Sequence, residues 1–271
     1  MARTLAPHSR PTRPRAQVCA FRTDSRAAGN LGQLVYSSNQ LLPAEVRIQG
    51  AALVPDSFDP RDNRGKEYRY RLSVSPRADP LLDGARAQRW HLPPRRGAPQ
   101  WDAAAAARAA ALLRGSHCFA AFANSPRGSE RVAAAAAAAA GSPAETVCRI
   151  RMLQLRQLGE GDYVFRVRGD RFNYKMVRNI VGALVKVGHG EISEAEMADA
   201  LELGAFARSA SLALTAPPHG LVLRHVLFGG SAPDAPDFFG VDGAGEAGRR
   251  GLRPWRACTV APGRLRRATV A

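Results

Sequence analysis

The chain has 271 residues, enough to bury a sizeable core as one large domain or two small ones. It carries 39 Lys+Arg against 23 Asp+Glu, a formal net charge of +16. That balance excludes an acidic solvating surface and points to a polyanionic partner, either nucleic acid or an anionic membrane face.

Only Lys66, Lys175 and Lys186 are lysines, so the cationic surface is arginine. Arginine suits bidentate phosphate contacts and stacking on bases, although a GC-rich coding bias gives the same skew. The four cysteines, Cys19, Cys118, Cys148 and Cys258, form no C-x-x-C pair. Neither zinc-ligand spacing nor a disulfide framework is expected, and a reducing compartment is. No run approaches the roughly 18 apolar residues of a membrane span. The longest, Val132 to Ala140, is one valine and eight alanines that stop at Gly141. The expectation is a soluble intracellular protein, of the cytoplasm or an organelle.

In chain order, residues 1–17 hold Arg3, Arg10, Arg13 and Arg15 with no acid and no apolar core of a secretory signal. They read as a disordered basic arm or a fragment of an organelle transit peptide. Val18-Cys19-Ala20-Phe21 is a short apolar run ending in Arg22-Thr23-Asp24, by itself a strand end followed by an Asx-turn. Tyr68, Tyr70, Leu72 and Val74 alternate with Arg69, Arg71 and Ser73, which predicts a half-buried strand. Asp102 can cap a helix over Ala103 to Arg114 that Gly115 stops.

The alanine tract 133–140 reads as an insertion in a surface loop or a helical spur. Residues 147–158 and 162–168 predict two antiparallel strands joined around Gly159-Glu160-Gly161. Arg149, Arg151, Arg166 and Arg168 then line one sheet face, as an RNA platform or a merely solvated face would require. Val177, Ile180, Val181 and Leu184 recur at spacings of three and four, which makes Tyr174 to Val187 a helix. Ser193 followed by Glu196 is a capping box opening a helix that Gly204 ends. Residues 229–248 are a Gly/Pro-rich linker, and the acid-free arginines beyond it form an unstructured tail. Strands and helices follow one another without a βαβ rhythm, so the fold class is α+β, a mainly antiparallel sheet with flanking helices.

Several blocks then fall into one order. They are Arg22-Thr23-Asp24, Phe58-Asp59-Pro60-Arg61, Lys66-Glu67-Tyr68-Arg69-Tyr70, Lys175-Met176-Val177-Arg178-Asn179-Ile180-Val181-Gly182 and Ala216-Pro217-Pro218-His219-Gly220-Leu221. The set resembles the TruA-type tRNA pseudouridine synthases over about Cys19 to Phe228. M-V-R-N-I-V-G with A-P-x-x-G-L is the specific part, and R-T-D gains meaning in their company.

The resemblance implies the pseudouridine synthase fold and isomerisation of uridine to pseudouridine in the anticodon arm of tRNA. It makes Asp24 the catalytic carboxylate, Tyr68 the residue that stacks on the base, and Arg178 the partner that positions or pairs with Asp24. It further implies that Arg22, Arg61, Lys175 and Phe119 bind substrate, Phe119 through a G-x-x-x-F-x-x-F segment that includes His117. The implied partners are tRNA and a second copy of the chain in a homodimer; no metal or cofactor is needed.

The chemistry is consistent with that set. The N1–C1′ bond breaks, the uracil turns, and C5 rejoins C1′ with nothing oxidised and no water consumed. One ionised carboxylate serves as nucleophile, an arginine keeps it charged against burial, and a flipped-out base needs a stacking ring.

On this reading 1–17 is the arm, 18–100 the catalytic part with the Asp motif, 101–228 the part with the M-V-R-N-I-V-G helix, and 229–271 the disordered linker and tail. Three departures from the family are expected to matter. Ser25-Arg26-Ala27-Ala28-Gly29 replaces the family's x-G-V-H-A, and the stretch Gln33 to Leu42 is so short that a helix is expected to be missing. Little chain precedes R-T-D, which predicts an exposed sheet edge. A catalytically inactive RNA-binding paralogue is the alternative.

Overall fold

The computed structural model describes residues 3–4, 17–23, 29–83, 88–94, 100–124, 147–207, 213–228 and 267–270. They divide into two units, one built on residues 17–62 with both terminal strands, the other on residues 63–226. Among the described residues no helix is long and apolar enough to cross a membrane.

The first unit is a four-stranded sheet of β1 (Arg3–Thr4), β2 (Cys19–Arg22), β3 (Ala51–Val54) and β10 (Arg267–Val270), in the order β1-β2-β10-β3. All its pairs are antiparallel. β1 and β10 fall within the expected arm and tail, most of which lies outside the described residues, and β2 is paired on both sides where a bare edge was expected. Helix α1 (Leu31–Leu41) occupies the stretch where the resemblance predicts a missing helix. Asn30 caps it by accepting from the Gln33 amide at 3.0 Å. The Asn39 side chain then exchanges two hydrogen bonds with the Ile48 backbone, at 2.9 and 2.8 Å, and ties the outgoing chain to the helix.

The second unit is a six-stranded sheet of β4 (Gly65–Val74), β5 (Trp90–Leu92), β6 (Gly115–Cys118), β7 (Val147–Gly159), β8 (Asp162–Gly169) and β9 (Leu221–Leu227). Its order is β5-β4-β8-β7-β6, with β9 also on β4. The β4–β8, β8–β7 and β7–β6 pairs are antiparallel and β4–β5 is parallel. The mainly antiparallel α+β sheet read from the sequence is therefore present.

Register assigns the faces. Tyr68 lies opposite Val167, and Tyr70 opposite Phe165, on the inner face. Glu67 opposite Arg168 and Arg69 opposite Arg166 lie on the other face. Arg168 and Arg166 in turn face Met152 and Gln154 across β7, while Arg151 falls at a register shift between Ile150 and Met152, so on this pair the arginines of the face come from β8. That face is not a bare row of cations: Glu67 pairs with Arg166 at 3.1 Å and with Arg69 at 3.7 Å.

Among the described residues three helices flank the sheet: α2 (Ala103–Leu112), α3 (Met176–Gly188) and α4 (Glu194–Leu203). Asp102 caps α2 through two amides. The Ser193–Glu196 capping box opens α4, and Gly204 closes it in the left-handed region at φ 72°. In α3 the apolar stripe read from the sequence widens to nearly every position, and Met176, Ile180, Val181 and Leu184 are fully buried. Each such side chain contributes about 1.5–3 kcal/mol on burial. α2 offers Ala106, Ala109 and Ala110 to this core, small residues that let it approach closely. Trp101 latches the start of α2 to the end of α3, its Nε1–H donating to the Val185 carbonyl at 3.2 Å.

Candidate active site

α3 starts on a strained residue. Lys175 precedes it at φ 58°, a left-handed conformation that costs a non-glycine residue about 1–3 kcal/mol and collects at functional positions. Its Nζ lies 5.6 Å from the centre of the Tyr174 ring, a cation–π distance. One turn on, Arg178 is only 9% exposed. Its Nε–H donates to the Ala216 carbonyl at 2.7 Å, and the Ala216 amide donates to the Arg178 carbonyl at 3.2 Å. Burial makes this guanidinium easier to deprotonate than an ordinary arginine, while Tyr70 and Tyr174 nearby act in the opposite sense. Among the described residues no carboxylate pairs with it.

β4 brings Tyr70 to the same stretch of backbone. Its ring is fully buried and its hydroxyl donates to the Pro217 carbonyl at 2.6 Å. Burial pushes the phenol well above its ordinary value, and the Arg178 charge offsets only part of that. The phenol is therefore a neutral donor beside a fixed cation. Two glycines permit this packing. A Cβ on Gly220 would meet the Tyr70 ring at 2.6 Å, and one on Gly182 would strike the Leu214 carbonyl.

Asn179 locks the arrangement. Its amide donates to the Phe122 carbonyl at 2.8 Å and to Asn124 Oδ1 at 2.6 Å, while its own oxygen accepts from Thr215 Oγ1 at 2.7 Å. The motif alone assigns Asn179 no role; a polar residue next to an arginine on an otherwise apolar helix is the signal that could have found it.

The expected site residues are distributed as follows. Arg178, with Lys175 before it, heads α3 and has Tyr70 and Tyr174 as neighbours. Tyr68 is 3% exposed and meets the Phe172 ring edge-on, with centroids 5.2 Å apart. Phe119 is fully buried, 6.0 Å from the Phe122 ring. It is a core residue that supports the carbonyl Asn179 holds, and its ring has no exposed surface to offer RNA.

Arg22 and Arg61 belong to the other unit. Arg22 pairs loosely with Asp56 at 3.6 Å. Arg61 is held tightly by Asp59 at 2.7 Å, with its side chain 65% exposed. The hydrogen bond and the charge of Asp59 make Arg61 harder still to deprotonate. Asp24, and with it the altered loop 25–28, lies outside the described residues, as does the alanine tract.

On the outer face of the second unit, Arg69 and Arg166 share the carboxylate of Glu67, and the charge of Arg224 acts on Arg69. Burial and then the two neighbouring guanidiniums make Arg69 easier to deprotonate than usual. Burial and the same arginines depress His225, against the pull of Glu67.

A family profile described as tRNA pseudouridine synthase matches residues 109–229. The chain is 37% identical over 194 residues to a tRNA pseudouridine synthase A of Methylacidiphilum infernorum, an alignment spanning 69% of this chain and 64% of that protein. It is 35% identical over 218 residues to the tRNA pseudouridine synthase A of Myxococcus xanthus, covering 80% and 72% of the two chains. It is 30% identical over 216 residues to the tRNA pseudouridine synthase A 2 of Protochlamydia amoebophila, covering 79% and 73%. The matched span is thus about two thirds to three quarters of each relative.

Proposed function

The chain belongs to the tRNA pseudouridine synthase family, and from that premise we propose that it isomerises uridine to pseudouridine in the anticodon arm of tRNA. Asp24 is the nucleophile. Its carboxylate bonds to the target nucleoside, at the base or at C1′, as the N1–C1′ bond is released. The uracil turns, C5 bonds to C1′, the C5 proton leaves, and the carboxylate is regenerated as N1 takes up a proton. Atoms and charge balance without any external reactant.

Arg178 supplies the fixed positive charge that keeps the carboxylate ionised in a water-poor site. The observation that carries this role is its burial with the Nε–H bound only to a backbone carbonyl, so that the charge has no counter-ion among the described residues. A buried cation of that kind is costly unless an anion meets it. Tyr70, packed against the same segment, is the phenol best placed to act with Arg178. Tyr68, two residues earlier on the same face of β4, is the ring that stacks on the flipped base. Lys175, Arg22 and Arg61 are cations for RNA phosphates. The chain works as a homodimer.

Incubation with unmodified tRNA, followed by chemical mapping of pseudouridine, tests the proposal. Pseudouridine confined to the anticodon arm supports it, whereas salt-sensitive binding of tRNA without any isomerisation identifies an inactive RNA-binding paralogue. Light scattering at working concentration reads the dimer directly.

A further inference from the structure

A hollow of about 380 Å³ opens beside the Tyr70–Arg178 pair, lined by Asp79, Pro80, Asp83, Trp90, Pro217 and His219 among others. The hollow is shallow and opens widely to solvent. Its walls are built. Trp90 stands nearly perpendicular to Tyr70, with centroids 6.2 Å apart. Pro217 is fixed through its carbonyl by the Tyr70 hydroxyl. His91, which also borders the hollow, donates its Nε2–H to the Ser75 carbonyl at 2.9 Å.

The two carboxylates at the rim differ. Asp83 is committed: its oxygens accept from Ser73 Oγ, Arg89 Nε and the Asp79 amide, each at 2.7 Å. Asp79 uses Oδ1 to cap the Leu81 and Leu82 amides, and Oδ2 has no partner among the described residues. Among the described residues no lysine or arginine lines the hollow.

Flat aromatic and proline walls with one available carboxylate suit a nucleobase that presents adjacent N–H donors. Guanine has two such donors, N1–H and the 2-amino group. Uracil has only N3–H, flanked by two carbonyls that a carboxylate repels.

We propose that this hollow seats a guanine of the RNA, a base other than the target uridine, stacked by Trp90 and read by the Asp79 carboxylate. Its link to tRNA rests on the isomerase reading above; its affinity for guanine does not. Pro217, one of its walls, belongs to the segment that Arg178 and Tyr70 hold, so a guanine bound there helps to place the substrate strand at the catalytic groups.

The full chain is titrated with guanosine, inosine and uridine monophosphates while tryptophan fluorescence is followed. Saturable quenching by the guanosine nucleotide is expected, absent in Trp90→Phe. Inosine lacks the 2-amino group and should bind at least fivefold more weakly, and Asp79→Asn should weaken the guanosine nucleotide by a similar factor and uridine hardly at all. The inosine arm needs no variant and so does not depend on the folding of one. Equal binding of the three nucleotides, no saturable quenching, or quenching that survives Trp90→Phe overturns the proposal. Pseudouridine mapping on tRNA separates the two readings. An inactive chain with guanine-selective binding removes the isomerase and keeps the seat, and an active chain without that selectivity removes the seat alone.

Discussion

Tyr70 and Arg178 hold adjacent carbonyls of one strand of backbone. The phenol donates to Pro217 at 2.6 Å and the guanidinium to Ala216 at 2.7 Å. A strand residue and a helix residue far apart in sequence are thereby set against each other through the A-P-x-x-G-L segment, and Gly220 and Gly182 leave the room for it. The segment acts as a spacer that fixes where the cation and the phenol stand.

Replacing Arg178 by Lys keeps the charge and removes the planar fork that reaches Ala216. Pseudouridine formation should fall by about two orders of magnitude or more, the scale for losing one preorganised electrostatic group. The unpaired Ala216 carbonyl should cost roughly 1–3 kcal/mol in urea denaturation.

Asn179→Asp tests the buried amide. A carboxylate cannot donate to the Phe122 carbonyl or to Asn124 Oδ1, so two donors are lost and two oxygens are brought against a negative charge. The loss of stability should exceed that of Asn179→Ala, itself about 2–3 kcal/mol, with urea midpoints as the measurement.

Gly182→Ala adds one methyl group directly into the Leu214 carbonyl. Overpacking of this kind costs about 1–3 kcal/mol. Since the displaced segment carries Ala216, isomerisation should fall as well, although no charge is altered. An Ala183→Gly control on the same helix should lose only helix propensity and cavity energy and keep its turnover.

The arrangement also sets a pH dependence. His219 is depressed below its ordinary value of 6.5, first by burial and then by the Arg178 charge. His225 is depressed in the same direction, again chiefly by burial. As pH falls through 6.5 the unfolded chain takes up protons that these folded imidazoles refuse, so the unfolded state is favoured. Stability should decline from about pH 7 towards pH 5 and level off once the folded imidazoles also titrate. A His219→Gln, His225→Gln double variant should show a flatter slope over that window in thermal melts.

Local signals made much of the fold legible. The Ser193–Glu196 box, the Gly204 stop and the Asp102 cap are short-range hydrogen-bond chemistry, and each lies where its residues place it. The strands of the β7–β8 pair were equally clear from their alternation. What the sequence could not tell is that Tyr70 and Arg178 bind adjacent carbonyls of one segment, because the path of residues 213–220 is set by tertiary packing rather than by a local pattern. α1 escaped because it has no charged residue and buries none of its side chains, leaving a weak pattern against an expectation of absence. The strand β10 depends on pairing with β2 and β3 across the length of the chain, which no local pattern announces.

Pseudouridine yield from unmodified tRNA, wild type against Asp24→Asn, tests the role of the carboxylate most directly. Pseudouridine is expected from the wild type and none from the variant, with tRNA affinity kept within about threefold, since one amide for one carboxylate alters few of the phosphate contacts that dominate binding. An Asp24→Asn chain that still isomerises uridine would contradict the assignment of Asp24 as the nucleophile.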